Sequence, residues 1–596
     1  MRRDVFSVVA AGADPTGAAD SGPGINTALA AAQANVAATG RHSVVFFPAG
    51  RYNILVRTGI PAINVSGMRN ISFIGTRGLR SRIRLAGDSK KGNWHLFVVR
   101  DGSSNIEFRD LSMDMTSMTN PDPTSQNHMF QLGPNCSDVR VFDCEIVDCR
   151  GDGVRFLGEF GEVVKDVQIL RCRFVNCGRS GISWQRWVQR TTVAHCYLEG
   201  GSDQLLDFEP TGYALKADSS GGGPLKLVDT ADPPATFITW GIAAGDPIFN
   251  VTDNVLCRVL AVDSQTRLTV SAGATTWNDA TYYFPLHNSG HTIAHNQLRR
   301  DAGGVEILVT LSGSYGVQLV GNQIDGCIQG QDALRCIIAQ NSVHTKASNS
   351  NTAAINLIKA GFQAQVINND IVLRNIGRGR SGIVVADQAG RNADSILIEG
   401  NCIRAEATTV AIDVEGVRYA TVVNNKIMLD SPGDKKSGAI SLRATNQNMK
   451  SATVTGNEIH ATAGTWSSGL SIGADSHNIE SVVLGGGIVD DCTIPIKMTE
   501  ATGVFINPPV LVPGVIGNGS TPVVPPKSKS FVQLAGVGGS AGFTGSFHPG
   551  VYWGTGSPEG VLTAGVGSMA LRRDGGDGTS VYIKESGTGN TGWVAK

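Results

Sequence analysis

The stretch Ser202-Asp-Gln-Leu-Leu-Asp-Phe-Glu-Pro210 carries three carboxylates within seven residues. Successive side chains of an extended strand point to opposite faces of its sheet. If Leu206 and Phe208 are buried, Asp207 and Glu209 must therefore project together from the other face. The regular spacing of the surrounding chain is also interrupted directly after Pro210, so this stretch marks the place where an insertion leaves the fold.

A repeated position lies on both sides of this stretch: an Asn or Cys with an apolar residue two positions before it and two positions after it. Successive members are 19 to 32 residues apart, except for one gap of 100 residues. This period is typical of the coils of a parallel β-helix, in which stacked Asn side chains hydrogen-bond to neighbouring coils. The sequence therefore predicts an all-β parallel β-helix of about a dozen coils. The members are Cys144, Cys172, Cys196, Asn296, Asn322, Asn341, Asn369, Asn401, Asn425 and Asn457.

The gap of 100 residues predicts an inserted β domain at 211–287, between two helix segments at 53–210 and 288–506. The insertion contains short strand-like runs separated by turn residues. Because it begins directly after Pro210, we expect it to wall one side of the acidic stretch. A tolerated surface insertion without a function is the alternative.

Residues 1–52 predict a module that caps the first coil. A strand is expected at Asp4–Val9, followed by an Ala-rich helix from about Pro23 to Ala38 with Ser21 as its N-cap. An open coil at the end of a solenoid must be covered, and an amphipathic helix is a common cover.

Three pieces of this module occur in the same order in a known group of proteins. They are Gly12–Asp20, Ile25–Ala32 and Val45–Tyr52. Together they resemble the start of the pectate-lyase-like superfamily of right-handed β-helices, with its aspartate-containing turn, alanine-rich helix and strand ending in a Pro-x-Gly-x-Tyr sequence. The resemblance implies a right-handed parallel β-helix with an N-terminal capping helix.

The C-terminal part of the chain differs in composition. Six prolines between Asn507 and Pro526 predict a linker at 507–530, followed by a small β domain at 531–596. Residues Gly556–Trp593, 38 in number, resemble a terminal segment of bacteriophage tail fibres and tailspikes that begins Gly-Ser-Pro-Glu-Gly and ends Gly-Asn-Thr-Gly-Trp. This resemblance implies a homotrimeric tailspike of the virion, which contacts the phage tail, baseplate or an adaptor protein and acts on polysaccharide at the bacterial cell surface.

Composition excludes some classes of partner. With 50 Lys and Arg against 51 Asp and Glu, the net charge of −1 provides no electrostatic attraction to nucleic acid. The sequence has no run of about 18 apolar residues, so no membrane insertion is expected. The N-terminal residues lack the apolar core of a secretory signal, which favours synthesis in the cytoplasm of the host. The 11 cysteines are expected to be buried thiols, and no cofactor or metal is predicted.

The strand that follows each repeated position alternates apolar and outward-facing residues, and its third residue faces outward. This alignment places Asp207 and Glu306 on neighbouring strands, about 4.8 Å apart. Arg155 and Ser183 occupy the same outward column, whereas Trp184 has the inward parity and is expected in the core. The aligned segments include Gly153–Phe156, Gly181–Trp184, Leu205–Phe208 and Gly304–Ile307.

These acids define the predicted catalytic site. Glycoside hydrolysis requires one protonated carboxyl group as acid and one ionised carboxyl group as base or nucleophile. We expect Asp207 and Glu306 to be this pair, with Glu209 orienting the substrate or replacing one of them. Asp152 and Asp203 are interpreted as turn residues. The residues expected to bind substrate are Gln185, Arg186, Arg155 and Tyr213.

The predicted function is endo-acting hydrolysis of a bacterial capsule, exopolysaccharide or O-antigen. A lyase of the same fold is one alternative, with its base and charge neutraliser drawn from Arg186, His195, Tyr213 or Lys216. His195 adjoins Cys196 of the repeat and is therefore expected to be partly buried, which counts against it as the base. A receptor-binding fibre without enzymatic activity, whose acids are a solvated surface patch, is the other alternative.

Overall fold

The structure is a computed structural model, and it divides into two compact units, residues 1–345 and 346–596, which are described separately. Within its described ranges, no helix is both long and apolar enough to cross a bilayer. The ranges are 4–56, 61–88, 95–119, 126–159, 161–209, 215–218, 225–229, 235–253, 255–271, 277, 279–300, 306–345, 353–358, 362–374, 381–386, 394–405, 410–445, 447–474, 479–480, 482–489, 492–499, 504–511, 523–524, 531–534, 551–587 and 589–596.

A helix covers the first coil, as the N-terminal sequence predicts. It spans Gly22–Thr39 and buries one face through Ile25, Leu29 and smaller residues between them. Ser21 occupies the N-cap position, but its hydroxyl donates to the carbonyl of Asp14 and not to the helix. The helix ends at Gly40, whose φ of 66° is the left-handed conformation that closes many helices.

Three parallel sheets form the coils of the first unit, so the predicted parallel β-helix is confirmed. The first sheet contains Asp4–Ser7, Ser43–Phe46, Arg69–Ile74, Ser104–Arg109, Ser137–Phe142, Val164–Leu170, Val188–Ala194, Asn288–Ser289, Thr292–Ala294, Gln318–Val320 and Ile337–Ala339. The second contains Gly50–Leu55, Ser81–Asp88, Leu111–Thr119, Glu145–Val147, Arg173–Val175, Tyr197–Glu199, Gln297–Arg299, Gln323–Ile324 and Ser342–Thr345. The third contains Ile63–Ser66, Phe97–Arg100, Phe130–Leu132, Val154–Phe156, Ile182–Trp184, Leu206–Phe208, Ile307–Leu311 and Cys327–Gln331.

Aromatic rings stack along the inside of the third sheet. Phe156 and Trp184 have ring centroids 5.4 Å apart, and Trp184 and Phe208 have centroids 4.3 Å apart with an interplanar angle of 1°. Trp184 is fully buried, which confirms its inward parity. Burial of each such ring stabilises the fold by roughly 1.5–3 kcal/mol, so this stack holds neighbouring coils of the third sheet in register.

The repeated Asn and Cys positions form the predicted ladder. In the first unit, Oδ1 of Asn322 accepts from the backbone N–H and from Nδ2 of Asn296, both at 2.9 Å. Asn341 does the same for Asn322. In the second unit the same bonds join Asn369, Asn401, Asn425 and Asn457. The cysteines of the ladder are buried free thiols, as expected from the sequence.

The insertion folds as a closed antiparallel barrel with its own apolar core, which includes Phe237, Leu268, Trp277 and Tyr282. The barrel contacts the β-helix where the ring of Trp240 packs edge-on against the ring of Trp187, at a centroid distance of 5.3 Å. A 3₁₀ turn at Pro285–His287 then leads back to the helix. The barrel strands are Leu215–Asp218, Lys226–Asp229, Pro247–Asn250, Val255–Ser264, Arg267–Val270 and Ala280–Tyr283.

The second unit has the same type of parallel sheets, in which most strands pair with the third strand along the chain. Pro508 and Pro509, which the sequence places in a linker, lie in the strand Val504–Leu511. The strands are Ile355–Ile358, Phe362–Ile367, Asp370–Leu373, Ser381–Ala386, Ser395–Glu399, Cys402–Ala405, Val410–Glu415, Tyr419–Val423, Lys426–Ala444, Ser451–Ala474, Val482–Val489, Cys492–Thr499, Val504–Leu511, Val523–Val524 and Phe531–Leu534.

A small, mostly antiparallel sheet ends the chain, with strands Val551–Gly554, Met569–Arg572, Val581–Lys584 and Trp593–Ala595. Its inner face buries a cluster of Tyr552, Ala564, Ala570, Tyr582 and Trp593. Glu559 accepts the backbone N–H groups of Gly592 and Trp593, which ties the last strand to the preceding loop.

Candidate active site on the third sheet

The outward column of the third sheet contains Arg155, Ser183 and Asp207 on successive strands, as the sequence predicts. The next residue of the column is Thr310 and not Glu306, because Leu206–Phe208 pairs with Val309–Leu311. The predicted register of Glu306 beside Asp207 is therefore wrong. Glu306 is buried directly before the strand Ile307–Leu311, and its catalytic role stays a prediction.

The error has a simple physical origin. Alternation of apolar and outward residues continues from Val305 to Leu311, so Gly304–Ile307 and Leu308–Leu311 match the strand pattern equally well. The pairing with the following strand also shifts between Ile307 and Val309. Parity alone cannot distinguish two registers that differ by an even number of residues.

Asp207 is 4% exposed and is held from both sides of its strand. Its Oδ1 accepts from the hydroxyl of Thr310 at 2.5 Å, and its Oδ2 lies 3.5 Å from the hydroxyl of Ser180. Burial raises the pKa of Asp207 to about 8, and the hydrogen bond and negative charge of Glu209 act in the same direction. Asp207 is therefore mainly protonated at neutral pH.

Glu209 follows the same strand and is partly exposed. Its Oε1 accepts from Nη2 of Arg179 at 2.5 Å, and its Oε2 lies 3.5 Å from Nε2 of Gln185. Burial alone would raise the pKa of Glu209, but the hydrogen bond from Asp207 and the charge of Arg179 outweigh it and lower that pKa. The two neighbouring carboxyl groups thus divide into one acid and one carboxylate.

Asp152 and Arg179 belong to this site, although sequence reasoning assigned Asp152 to a turn and did not single out Arg179. Asp152 is fully buried and accepts from the hydroxyl of Ser183 at 2.7 Å and from the backbone N–H of Ser180 at 3.1 Å. Arg179 forms an ion pair with it, at 3.0 Å from Nε to Oδ1. Burial raises the pKa of Asp152, and the charge of Arg179 opposes that rise. No strand pattern marks Asp152 in the sequence, because it precedes the strand Val154–Phe156.

Two stacked imidazole rings lie next to Asp152, with ring centroids 4.9 Å apart. Nδ1 of His128 accepts the backbone N–H of Asp152 at 2.9 Å, and Nδ1 of His95 accepts the backbone N–H of His128 at 3.3 Å. Burial and the nearby charge of Arg155 lower the pKa of His95 to about 4 and that of His128 well below its usual value. Both rings are neutral at neutral pH.

The residues predicted to bind substrate have different fates. Nε of Arg155 donates to Oε1 of Gln185 at 2.9 Å, so both lie beside the acid pair. Nε of Arg186 donates to the backbone carbonyl of Gly158 at 3.2 Å, so the role of Arg186 in substrate binding stays a prediction. Tyr213 lies outside the described residues.

Two residues considered for a lyase, His195 and Lys216, lie on other parts of the first unit. His195 is exposed on the first sheet and stacks on His295 at 5.3 Å, so the expectation that it is partly buried is wrong. Lys216 belongs to the barrel, where its Nζ lies 4.0 Å from Asp279. Asp203 accepts the backbone N–H of Gln204, in keeping with its turn assignment.

Neither a family model nor a curated protein sequence matches the chain. Solved structures similar to it include the A-module of a mannuronan C-5 epimerase from Azotobacter vinelandii, at 12% identity over 84% of this chain and 100% of that chain, with a TM-score of 0.36. An α-1,3-glucanase catalytic unit from Streptomyces thermodiastaticus matches at 14% identity over 84% and 65%, with a TM-score of 0.31. A protein of Geobacillus virus E2 matches at 12% identity over 67% and 59%, with a TM-score of 0.31. Likenesses this distant carry no argument about activity, which must be inferred from the residues of this chain.

Proposed function

We propose that this chain is a glycoside hydrolase that cleaves a polysaccharide of the bacterial surface. The observation that carries the proposal is the contact between Asp207, whose pKa is raised to about 8, and Glu209, whose pKa is lowered. Hydrolysis of a glycosidic bond requires one carboxyl group in each state at the same site. An acidic patch exposed to water would leave both groups ionised.

The hydrogen bonds of Asp207 indicate which oxygen carries its proton. The hydroxyl oxygen of Thr310 accepts the backbone N–H of Phe208, so its hydrogen is directed to Oδ1 of Asp207. Oδ2 is then the protonated oxygen. Asp207 would give this proton to the glycosidic oxygen as the bond breaks, and Glu209 would activate a water molecule or attack the anomeric carbon. Substrate must first displace the hydrogen bond between the two carboxyl groups, because the paired carboxyl groups of glycosidases stand about 5 Å or more apart.

Arg179 keeps the two roles distinct. It pairs with Glu209 and with Asp152, whereas its Nη2 is 3.9 Å from Oδ2 of Asp207. A positive charge closer to Glu209 than to Asp207 favours ionisation of Glu209 first. Asp152 in turn holds Arg179 in place and acts as a positioning residue.

The tailspike assignment is the finer part of the proposal, and it rests on the resemblance of Gly556–Trp593 to phage tail proteins. We propose that the chain forms a homotrimer on the virion, contacts the phage tail, baseplate or an adaptor protein, and binds capsule, exopolysaccharide or O-antigen at the cell surface. We propose endo-acting cleavage because the acids lie on the outward column of the third sheet, where a long polysaccharide can cross the coils of the first unit.

Elimination from a uronic acid is the second candidate, because two imidazoles and two arginines stand at the site. A lyase needs a base with a free lone pair. Nδ1 of His95 and of His128 each accept a backbone N–H, and neutral imidazole has its hydrogen on the other nitrogen. Neither ring therefore offers a free basic nitrogen in this arrangement, which favours hydrolysis.

Product analysis tests the proposal. The full-length chain is incubated with a panel of purified bacterial capsular polysaccharides and exopolysaccharides. We expect new reducing ends without a product that absorbs in the ultraviolet. Products with a C4–C5 double bond would establish elimination, and tight binding without shortening would establish a receptor-binding fibre.

A further inference from the structure

Four residues next to the acid pair form a cradle that the reaction described above does not use. They are His95, His128, Gln131 and Arg155, and we call them the arginine cradle. Gln131 and Arg155 are paired in register on neighbouring strands of the third sheet. His128 lies two residues before the strand of Gln131, and His95 holds the same place on the coil before it. Nε2 of His128 lies 3.3 Å from Nη1 of Arg155.

Hydrogen-bond donors face each other in this cradle. Because Nδ1 of His128 accepts from Asp152, its Nε2 carries the hydrogen, and the guanidinium of Arg155 can only donate. The 3.3 Å contact between them is therefore donor to donor. Nε2 of His95 carries a hydrogen for the same reason. Nε of Arg155 already donates to Gln185, and a ligand acceptor placed between Nη1 of Arg155 and Nε2 of His128 could be bound by both donors at once.

The charge of the cradle selects the type of acceptor. Arg155 is a permanent cation, and the imidazoles beside it are neutral donors. A planar carboxylate accepts from a guanidinium in charge-assisted hydrogen bonds, which are about twice as strong as neutral ones. A neutral sugar hydroxyl can also accept from Arg155, but it carries no charge, so its hydrogen bond to the guanidinium is weaker.

Gln131 adds a contact of the opposite kind. Its Oε1 is buried and has no hydrogen-bond partner among the described residues. A hydroxyl group attached to the same ring as the carboxylate can donate to this oxygen. The cradle thus combines donors for an anion with one acceptor for a neighbouring hydroxyl, which is the chemistry of an acidic sugar and not of a bare anion.

Position connects the cradle to the acid pair. Arg155 precedes Asp207 by two strands in one column, which corresponds to about 10 Å at the usual strand spacing. We infer that the arginine cradle binds the carboxylate of an acidic sugar unit close to the cleaved bond, and that the substrate is an acidic polysaccharide. This inference deepens the proposed hydrolase function and rests on it for the identity of the substrate chain.

Binding of monosaccharides tests the inference without any cleavage. The full-length chain is titrated in a calorimeter with sodium D-glucuronate and D-galacturonate, and with D-glucose, D-galactose and sodium acetate as matched controls. We expect the uronates to bind more tightly than both the neutral sugars and acetate. Added salt should weaken uronate binding, because salt screens the attraction to Arg155.

Variants assign the binding to the cradle. Arg155→Gln removes the charge and should lower uronate affinity roughly ten- to a hundredfold, the usual effect of one hydrogen bond to a charged group. Arg173→Gln is the matched control, since Arg173 lies on the second sheet and pairs with Glu145 at 3.0 Å. Gln131→Leu keeps every cation and should lower affinity for the uronates but not for acetate.

Equal binding of uronates and neutral sugars, or unchanged uronate affinity in both cradle variants, would overturn the inference. Its failure is distinguishable from failure of the proposed function. If the chain binds uronates through Arg155 but cleaves no polysaccharide, the inferred binding site is supported and the proposed hydrolase function is refuted. If it hydrolyses a neutral polysaccharide and binds no uronate, the hydrolase function is supported and the inferred uronate site is refuted.

Discussion

At the scale of single residues, Asp207 depends on being kept away from water. Its neighbours Ser180 and Thr310 offer hydroxyl groups and not cations, and Glu209 adds a negative charge two residues away. Burial and the hydrogen bond and charge of Glu209 favour the protonated carboxyl group, whereas the Thr310 hydrogen bond opposes it. The charge of Arg179 is directed instead to Glu209 and Asp152.

Removal of either carboxyl group should abolish most of the activity. We expect Asp207→Asn and Glu209→Gln each to lower kcat by about 10²–10⁴ while the protein still binds polysaccharide. Glu199→Gln is the matched control, because Glu199 lies on the same coil but on the second sheet, where Tyr197 donates to it at 2.6 Å. Near-normal turnover in both site variants, on a substrate cleaved by the wild type, would show that the active site lies elsewhere.

The activity should also depend on pH through Asp207. Because Asp207 must be protonated to act as an acid, kcat/KM is expected to fall as the pH rises through about 8. Glu209 must be ionised, and its lowered pKa keeps it so throughout the neutral range.

Thr310→Val provides a direct test of this assignment. The hydroxyl of Thr310 lowers the pKa of Asp207, so its loss should raise that pKa and move the alkaline limb to higher pH. The pH profiles of wild type and variant are compared on one substrate. Thr292→Val, on the first sheet of the same coil, should leave the profile unchanged. A shift of the limb to lower pH would contradict the role given to Asp207.

At the scale of elements, the ladder explains why Asn recurs at one position of each coil. Asn322 accepts two hydrogen bonds from Asn296 and donates to the carbonyl of Ile293 and to Asn341. No other side chain of this size offers an acceptor and two donors in one plane. At Cys172 and Cys196 a thiol takes this place: Sγ of Cys196 accepts the backbone N–H of Cys172, and each thiol donates to a backbone carbonyl.

Substitution in the ladder should therefore be costly. Asn322→Leu leaves the backbone N–H of Asn296 buried without an acceptor, and each such group costs about 1–3 kcal/mol. We expect a lower free energy of unfolding in chemical denaturation, with a smaller loss for Asn322→Cys, which restores a weak acceptor. Equal losses for the two variants would show that packing and not hydrogen bonding determines the choice of residue.

The inserted barrel should be separable from the helix. The strands on either side of it already pair directly, Leu206–Phe208 with Val309–Leu311 and Thr192–Ala194 with Thr292–Ala294. We expect replacement of residues 211–287 by a short Gly-Ser linker to leave a folded β-helix, measured by circular dichroism and thermal unfolding. Some stability should be lost with the contact between Trp187 and Trp240. Loss of all cooperative unfolding would refute the boundary.

At the scale of the whole molecule, the C-terminal sheet bears on oligomeric state. Its outer face exposes Met569, Leu571 and Val594 to between 36% and 39%, whereas its inner face is packed. A contiguous apolar face on a small sheet is typical of a contact surface. This is consistent with the predicted homotrimer held partly by residues 507–596.

Light scattering provides the measurement. We expect a particle of three times the 62.5 kDa chain mass at micromolar concentration. Leu571→Asp should shift the population towards smaller species, because it places a charge in an apolar contact. The matched change Leu260→Asp alters another exposed leucine, on the inserted barrel, and should not. A stable monomer of the wild-type chain would contradict the prediction.

Local sequence patterns determined a large part of this protein. The spacing of Asn and Cys specified the coils because a stacked amide needs the same position in every turn. Alternation along the strands placed Trp184 and Phe208 inside and put Asp207 and Glu209 on one outward face. Side chains of a strand alternate whatever the surrounding fold. The gap of 100 residues located the inserted barrel, because an insertion interrupts the repeat but leaves the spacing on either side unchanged.

Only the tertiary structure decided the strand register beside Asp207 and which residues surround the acids. Alternation repeats every two residues, so it could not choose between Glu306 and Thr310 as the partner of Asp207. Nor could it bring Asp152, Arg179 and His128 to Asp207, because they lie on different coils and meet only when the helix is wound. The split pKa values of Asp207 and Glu209 depend on that burial and on the position of Arg179, which no stretch of sequence contains by itself.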